Sequence, residues 1–161
     1  FDYERDFAPV GMVAEVPYLI GVARASGIRD LAGYLDAARG ARDGLSYGTP
    51  GVGSVGHLAG VLLAHRAGVR LEHVPYRSGA QAVTDVISGQ VPMLVYQVTA
   101  VLPHVREGRL RALATTSNRR LDWTPDVPTV EEQGVAEFDV AAWHGLFGPA
   151  GLPPQIVERV H

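Results

Sequence analysis

The sequence predicts an α/β domain with a mainly parallel sheet flanked by helices. Three observations carry the prediction. Strand-like and helix-like segments alternate at βαβ lengths along most of the chain. The 161 residues are 47% hydrophobic, enough in length and composition for a buried core. A loop joins a strand to a helix twice, a glycine-rich one at Gly48–Ser54 and a second at Val74–Gly79.

The residues from Phe1 to Asp6 read as a polar lead-in. Phe7–Glu15 and Tyr18–Ala23 have the composition of two strands, with Pro17 expected to break them. Gly27–Arg39 reads as a helix capped by Ser26, with Ile28, Leu31, Ala32 and Leu35 on one face, ended by Gly40 and Gly44. Leu45–His65 then gives a short strand, a turn with four glycines in nine positions, and a helix. Ser54 suits the N-cap of that helix, whose apolar face is expected at Val55, Leu58, Ala59, Leu62 and Leu63. A strand over Arg70–Pro75 and a helix over Ala80–Ser88 follow, the latter with Val83, Val86 and Ile87 inward. Next come a strand over Val91–Gln97, a helix over Thr99–Glu107 ended by Gly108, and a strand over Leu110–Thr116. Asp122–Pro128 is turn-rich. Thr129-Val-Glu-Glu132 fits a capping box for one helical turn ending near Gly134. Phe138–Phe147 reads as a strand, and Leu152-Pro-Pro as a turn into a last helix.

Composition narrows the function classes. Net charge is −3 and the 14 basic residues, all arginine, are scattered, which argues against a nucleic-acid partner. With no cysteine, disulfides and thiolate chemistry are excluded. No apolar run reaches the length of a membrane span. The chain opens on Phe1 without an initiator methionine and is expected to be a piece of something longer. His57 and His65 lie eight apart, too far for the i, i+4 pair of a zinc helix, so no metal site is expected.

The chemistry concentrates in the two strand-to-helix loops. Free N–H groups and the positive dipole end of the helix after Ser54 point back at the first loop, which favours an anion such as phosphate or carboxylate. In the second loop Tyr76 supplies a hydroxyl and Arg77 a planar donor fork for a carboxylate. Both loops fall at the carboxyl edge of a parallel sheet, where open α/β sheets bind ligands. A second reading stays in play. Gly51-Val-Gly-Ser-Val-Gly56 satisfies the dinucleotide pattern G-x-G-x-x-G, and Glu72 lies 21 residues beyond Gly51, near where such folds place a ribose-binding acid. Against it, the preceding strand is short and polar, Thr49-Pro50 lengthens the turn, and Glu72 sits inside its strand. A P-loop fails on its missing lysine. A nucleophile elbow fails because Ser54 directly follows its glycine.

The ordered series Tyr47-Gly-Thr-Pro-Gly-Val-Gly-Ser54, His57-Leu-Ala-Gly60, His73-Val-Pro-Tyr-Arg77, Ala82-Val-Thr-Asp-Val-Ile-Ser-Gly-Gln-Val91, Leu102-Pro-His-Val-Arg-Glu-Gly-Arg-Leu-Arg-Ala-Leu-Ala114, Pro125-Asp-Val-Pro-Thr129 and Trp143-His-Gly-Leu-Phe-Gly-Pro-Ala-Gly151 covers almost the whole chain. It resembles the extracytoplasmic solute receptors of tripartite tricarboxylate transporters, the Bug-type receptors. The resemblance implies a type II periplasmic-binding-protein-like fold of two lobes that closes on a small, usually carboxylated solute and hands it to a two-component membrane permease. Residues 1–161 are then one α/β domain: the second lobe with two interlobe crossing segments, at about 7–16 and 138–151. The first lobe and a signal peptide are expected upstream, and the location is periplasmic. Exposed crossing strands leave edges that favour self-association.

Carried over position by position, Thr49, Gly51, Gly53, Ser54 and His57 match the second-lobe anion loop, and Tyr76 and Arg77 the next loop. Tyr96 and Gln97 fall where an acidic residue and an amide are common. Tyr96 in place of the acid removes the partner for an ammonium group. Pro92 stands where an aspartate is common, and Ser78-Gly79 inverts the usual order of glycine then small residue. The resemblance implies ligand binding without catalytic residues, metal or cofactor. The alternative remains a nucleotide-binding α/β enzyme domain built on the GVGSVG loop.

Overall fold

The computed structural model describes residues 2–161; Phe1, the first residue of the lead-in, lies outside them. The chain divides into two compact units, Pro17–Ala141 and a smaller one made of the residues up to Val16 with Ala142–His161. In chain order the elements are α1 (Tyr3–Asp6), β1 (Phe7–Ala23), α2 (Leu31–Gly40), β2 (Leu45–Thr49), α3 (Val55–Ala67), β3 (Leu71–Pro75), α4 (Gly79–Ile87), β4 (Met93–Gln97), α5 (Val98–Arg106), β5 (Leu110–Thr115), β6 (Ala141–Pro149) and α6 (Pro154–Val160).

In the larger unit the strands lie in the order β3-β2-β4-β1-β5. β2 pairs in parallel with β3 and β4, while β1 runs antiparallel to both β4 and β5. Four strands therefore point the same way and β1 alone is reversed, which gives the mixed α/β sheet its mainly parallel character. Helices cover both faces. Tyr47 and Gly48 are neighbours on β2 and so face opposite sides. On the Tyr47 side sits α3, where a Cβ at Gly60 would fall 2.0 Å from the Tyr47 ring. On the Gly48 side sits α4, with Ala82 against Gly48, and α5, whose Val101 reaches Gly21 of β1. Leu19, Ile20, Val22, Met93, Leu94 and Val95 form the buried centre.

Several expectations shift, each for a local reason. Pro17 does not break the first strand: β1 is continuous for 17 residues. Its ladders to β4 and β5 begin at Tyr18 and Leu19, so the missing N–H of Pro17 is needed by no partner there. The helix expected from Gly27 starts at Leu31. Ser26 ends a 3₁₀ turn, Gly27 takes φ 79°, and Asp30 is the cap, accepting from Gly33 N–H at 2.7 Å. The buried stripe of α3 is Gly56, Ala59, Gly60 and Leu63, whereas Leu58 is 57% exposed. The helix lies so close to the sheet that small residues, not the larger ones, face it. Phe138 is wholly buried but precedes β6, which begins at Ala141.

The capping box is formed as expected: Thr129 N–H donates to Glu132 Oε2 at 2.7 Å and Glu132 N–H donates to Thr129 Oγ1 at 3.0 Å. In the smaller unit β6 pairs with β1, Ala150 N–H donates to the Asp6 carbonyl, and the His161 ring lies against Gly11.

Two outcomes follow from these contacts. Gly60→Ala forces a methyl into the Tyr47 ring and lowers stability by about 1–3 kcal/mol, read from the urea midpoint. The Thr129 amide, and after it Arg120, hold the Glu132 carboxyl below its ordinary 4.5. A depressed carboxyl stabilises above its unfolded value and loses that contribution as pH falls through the folded one. The stability gap between the protein and Glu132→Gln therefore narrows as pH is lowered from 5 to 3; a constant gap in pH-dependent melts would refute this.

Candidate functional site

The three loops after β2, β3 and β4 leave the sheet at one carboxyl edge, and the reversed strand β1 brings Tyr18 to that edge opposite Gln97. Ligands of open α/β sheets gather at such an edge. The sequence-predicted residues divide among these three loops.

The first loop is a closed hydrogen-bond circuit. Ser54 caps α3, its Oγ accepting from His57 N–H at 3.2 Å and donating to the Gly51 carbonyl at 2.8 Å. Thr49 Oγ1 accepts from Gly51 N–H at 3.3 Å and lies 2.6 Å from His73 Nε2. Gly53 N–H donates to His57 Nδ1 at 3.1 Å. Gly51 and Gly53 take φ 137° and 78°, values that strain any side chain with a Cβ. Thr49 is wholly buried, so its hydroxyl shapes the loop from inside. Among the described residues the N–H groups of Val52, Val55 and Gly56 have no protein acceptor, which leaves donors at the positive end of α3.

In the second loop Tyr76 N–H donates to the Thr49 carbonyl at 2.9 Å, which joins the two loops. The Tyr76 ring covers Gly48, where a Cβ would lie 3.1 Å away. Its hydroxyl donates to Asp85 of α4 at 2.8 Å; burial, then that carboxylate, push its pKa up to about 12. Arg77 is exposed and makes no hydrogen bond or ion pair among the described residues. The third loop carries Tyr96 and Gln97, both half-buried. The Tyr96 ring lies over Gly79, the first residue of α4, and a Cβ there would fall 2.0 Å from it. The glycine at 79 thus goes with the tyrosine at 96.

Sequence reasoning missed two members. His73 is stacked on His57, with ring centroids 4.1 Å apart, and tilted against Tyr47 at 5.3 Å. Burial, then the His57 ring, hold its pKa below the usual histidine value. The only signal was its place before the Val-Pro-Tyr-Arg run. Tyr18, nearly buried, stands beside Tyr96 and Gln97. Burial and then Tyr96 push its pKa up, with Gln97 acting the other way. Its site position depends on the antiparallel pairing of β1, which no local pattern announces.

The dinucleotide reading fails on geometry. Glu72 is exposed and is the second residue of β3, opposite Ser46, at the end of the strand away from the loop. Among the described residues no group of three or more His, Asp or Glu is placed to hold a metal ion.

The arrangement gathers unpartnered hydrogen-bond donors at one edge of the sheet, and comparison with known proteins places the chain in a family. The model of the tripartite tricarboxylate transporter family receptor matches residues 1–161. The chain belongs to that family. It is 41% identical, over all of its length and 48% of the other's, to a UPF0065 protein encoded between tcbD and tcbE in Pseudomonas sp. strain P51. Among solved structures it resembles R. palustris Rpa4515 with adipate, at TM-score 0.88 and 32% identity, covering 99% of this chain and 54% of that one. It also resembles MatC from Rhodopseudomonas palustris with bound malate, at TM-score 0.81 and 32% identity, covering 96% and 52%. The periplasmic binding protein BugD matches at TM-score 0.81 and 31% identity, again over 96% and 52%. The chain spans about half the length of the relatives it matches.

The Tyr96–Gly79 contact is testable by itself. Gly79→Ala lowers stability when Tyr96 is present and has little effect in a Tyr96→Ala background. The double-mutant coupling is about 1 kcal/mol or more. Additive effects in chemical denaturation would show that the ring moves aside freely.

Proposed function

We propose that the protein captures a small carboxylated solute in the periplasm for a two-component membrane permease, and that its larger unit serves as one of two closing lobes. The observation that carries this reading is the first loop: glycines where no side chain fits, unpartnered amides at the start of α3, and Arg77 unpaired beside it. Family membership supports the receptor role and the permease. The adipate and malate named for two structural relatives support the carboxylate class, and the name of BugD supports the periplasm. The half-length match to relatives supports a second lobe.

The ligand contacts we assign are the unpartnered N–H groups of Val52, Val55 and Gly56 and the side chains of His57, Arg77, Tyr96 and Gln97. Thr49 holds the loop from behind, and Tyr76 holds it to α4. The loop segments Gly48–Ser54, Tyr76–Ser78 and Tyr96–Gln97 contain no Asp or Glu, and nearby Asp85 is engaged by Tyr76. An α-ammonium group would be buried without an acceptor there, which costs more than it returns. The solute is therefore a carboxylate without an α-amino group, and the tyrosine faces suit an apolar or aromatic body.

Calorimetry or ligand-observed NMR at millimolar solute tests this. Adipate or malate binds, whereas aspartate, glutamate and NADH do not. Gly53→Val, strained at φ 78°, weakens the binding by about tenfold or more. NADH binding without acid binding, or full affinity in Gly53→Val, would overturn the assignment.

A further inference from the structure

The anion loop is closed on itself by two imidazoles. His57 Nδ1 accepts the Gly53 N–H at 3.1 Å, so that nitrogen carries no proton and the neutral ring holds its hydrogen on Nε2. Gly53 is exposed, and its amide is a donor that a solute carboxylate would otherwise use. On the other side of the stack, His73 Nε2 lies 2.6 Å from the buried Thr49 hydroxyl, which also receives Gly51 N–H. The rings lie 4.1 Å apart, and the pair spans both ends of the loop.

We propose that the stacked His57–His73 pair is a proton-operated latch on this loop: neutral, it occupies the Gly53 amide; protonated, it releases that amide and sets a cation behind it, so that carboxylate capture takes up a proton. A proton on His57 Nδ1 sets two donors face to face across the 3.1 Å contact, and the bond is lost. A protonated His73 can only donate to Thr49 Oγ1, which turns the threonine hydrogen toward the Gly51 carbonyl at 3.2 Å. Two charges on stacked rings repel, so a proton on one ring opposes a proton on the other.

The other groups facing the pair come from β2, β3, β4 and α3. From β2 it is faced by the Tyr47 phenol, which donates to the His57 carbonyl and whose pKa burial raises to about 12. From β4 the residues on that side are Met93 and Val95, since Tyr96 lies on the opposite face over Gly79. On β3 itself Glu72 alternates to the other face and Arg77 lies beyond the strand. On α3, His65 and Arg66 lie two turns further on, and Arg66 is paired with Glu137. No carboxylate bonds to either ring among the described residues.

The sign follows from the anion. A bound carboxylate raises the pKa of a nearby imidazole, so affinity gained from the proton is present at low pH and lost as pH rises through the raised value. The carboxylate half of the inference rests on the receptor reading; the latch does not. Backbone amide NMR of the solute-free protein from pH 5 to 8 tests the latch. The Gly53 amide shift follows the titration of the His57 ring, and that step disappears in His57→Phe while Gly51 keeps a step from His73. His57→Gln, polar but not titrating, serves if the phenylalanine variant does not fold. A Gly53 amide that stays fixed while His57 titrates overturns the proposal. With adipate as probe, affinity at pH 5.5 exceeds that at pH 8 by about fivefold or more, and His57→Phe abolishes the difference. Equal affinity at the two pH values overturns the coupling. No adipate binding at either pH overturns the solute class instead, with the latch still decided by Gly53.

Discussion

The close approach of α3 to the sheet is the contact on which the site depends. Gly56 sits where a Cβ would be 2.4 Å from the Val95 carbonyl, and Gly60 where one would enter the Tyr47 ring. Only a helix with glycine at both of these contact points comes this near. The approach fixes the height of the first turn of α3 above the carboxyl edge, and so where its unpartnered amides stand. It also lets the Tyr47 hydroxyl reach the His57 carbonyl at 3.1 Å, which ties the helix to β2 from beneath. The helix is held by packing, by this bond, by Arg39 donating to the Ala67 carbonyl and by the Arg66–Glu137 pair, while the loop before it is held by the Thr49, Ser54 and His57 circuit.

The same device recurs around the edge. Tyr47 lies under Gly60, Tyr76 over Gly48 and Tyr96 over Gly79. In each case a flat ring occupies the space that a side chain on the facing glycine would take. Aromatic bodies thereby line the loops, and two of the three hydroxyl tips are engaged within the fold, Tyr47 by the His57 carbonyl and Tyr76 by Asp85. The glycines at these positions are required by a neighbouring ring, whereas Gly51 and Gly53 are required by their own backbone angles. Substitutions in the two groups fail for different reasons, the first by collision and the second by strain.

Electrostatically the edge offers donors and few acceptors. The first turn of α3 and Arg77 attract negative charge. The hydroxyls of Thr49, Ser54 and Tyr76 are spent within the fold on His73, the Gly51 carbonyl and Asp85. Their commitment keeps the loop in one shape before a solute arrives, so less ordering is left for binding to supply.

The sequence by itself determined the alternation of elements, the Ser54 cap, the Thr129–Glu132 capping box and the placing of both loops after strands. These are local matters, set by spacing, capping chemistry and glycine content within a few residues. The family was legible too, because its motifs run the length of the chain. Only the tertiary structure decided that β1 is one strand lying antiparallel within the sheet, that α3 turns Gly56, Ala59 and Gly60 inward, and that His73 and Tyr18 stand beside the candidate site residues. Each of these is set by what comes near from elsewhere in the chain. Strand direction depends on ladders to β4 and β5, 71 to 96 residues away, from the Val22–Met93 pair to the Leu19–Thr115 pair. The buried face of α3 depends on the tyrosine beneath it, and the pairing of His57 with His73 depends on α3 lying across β3. No periodicity in a single segment encodes such contacts, because their physical cause lies in the partner.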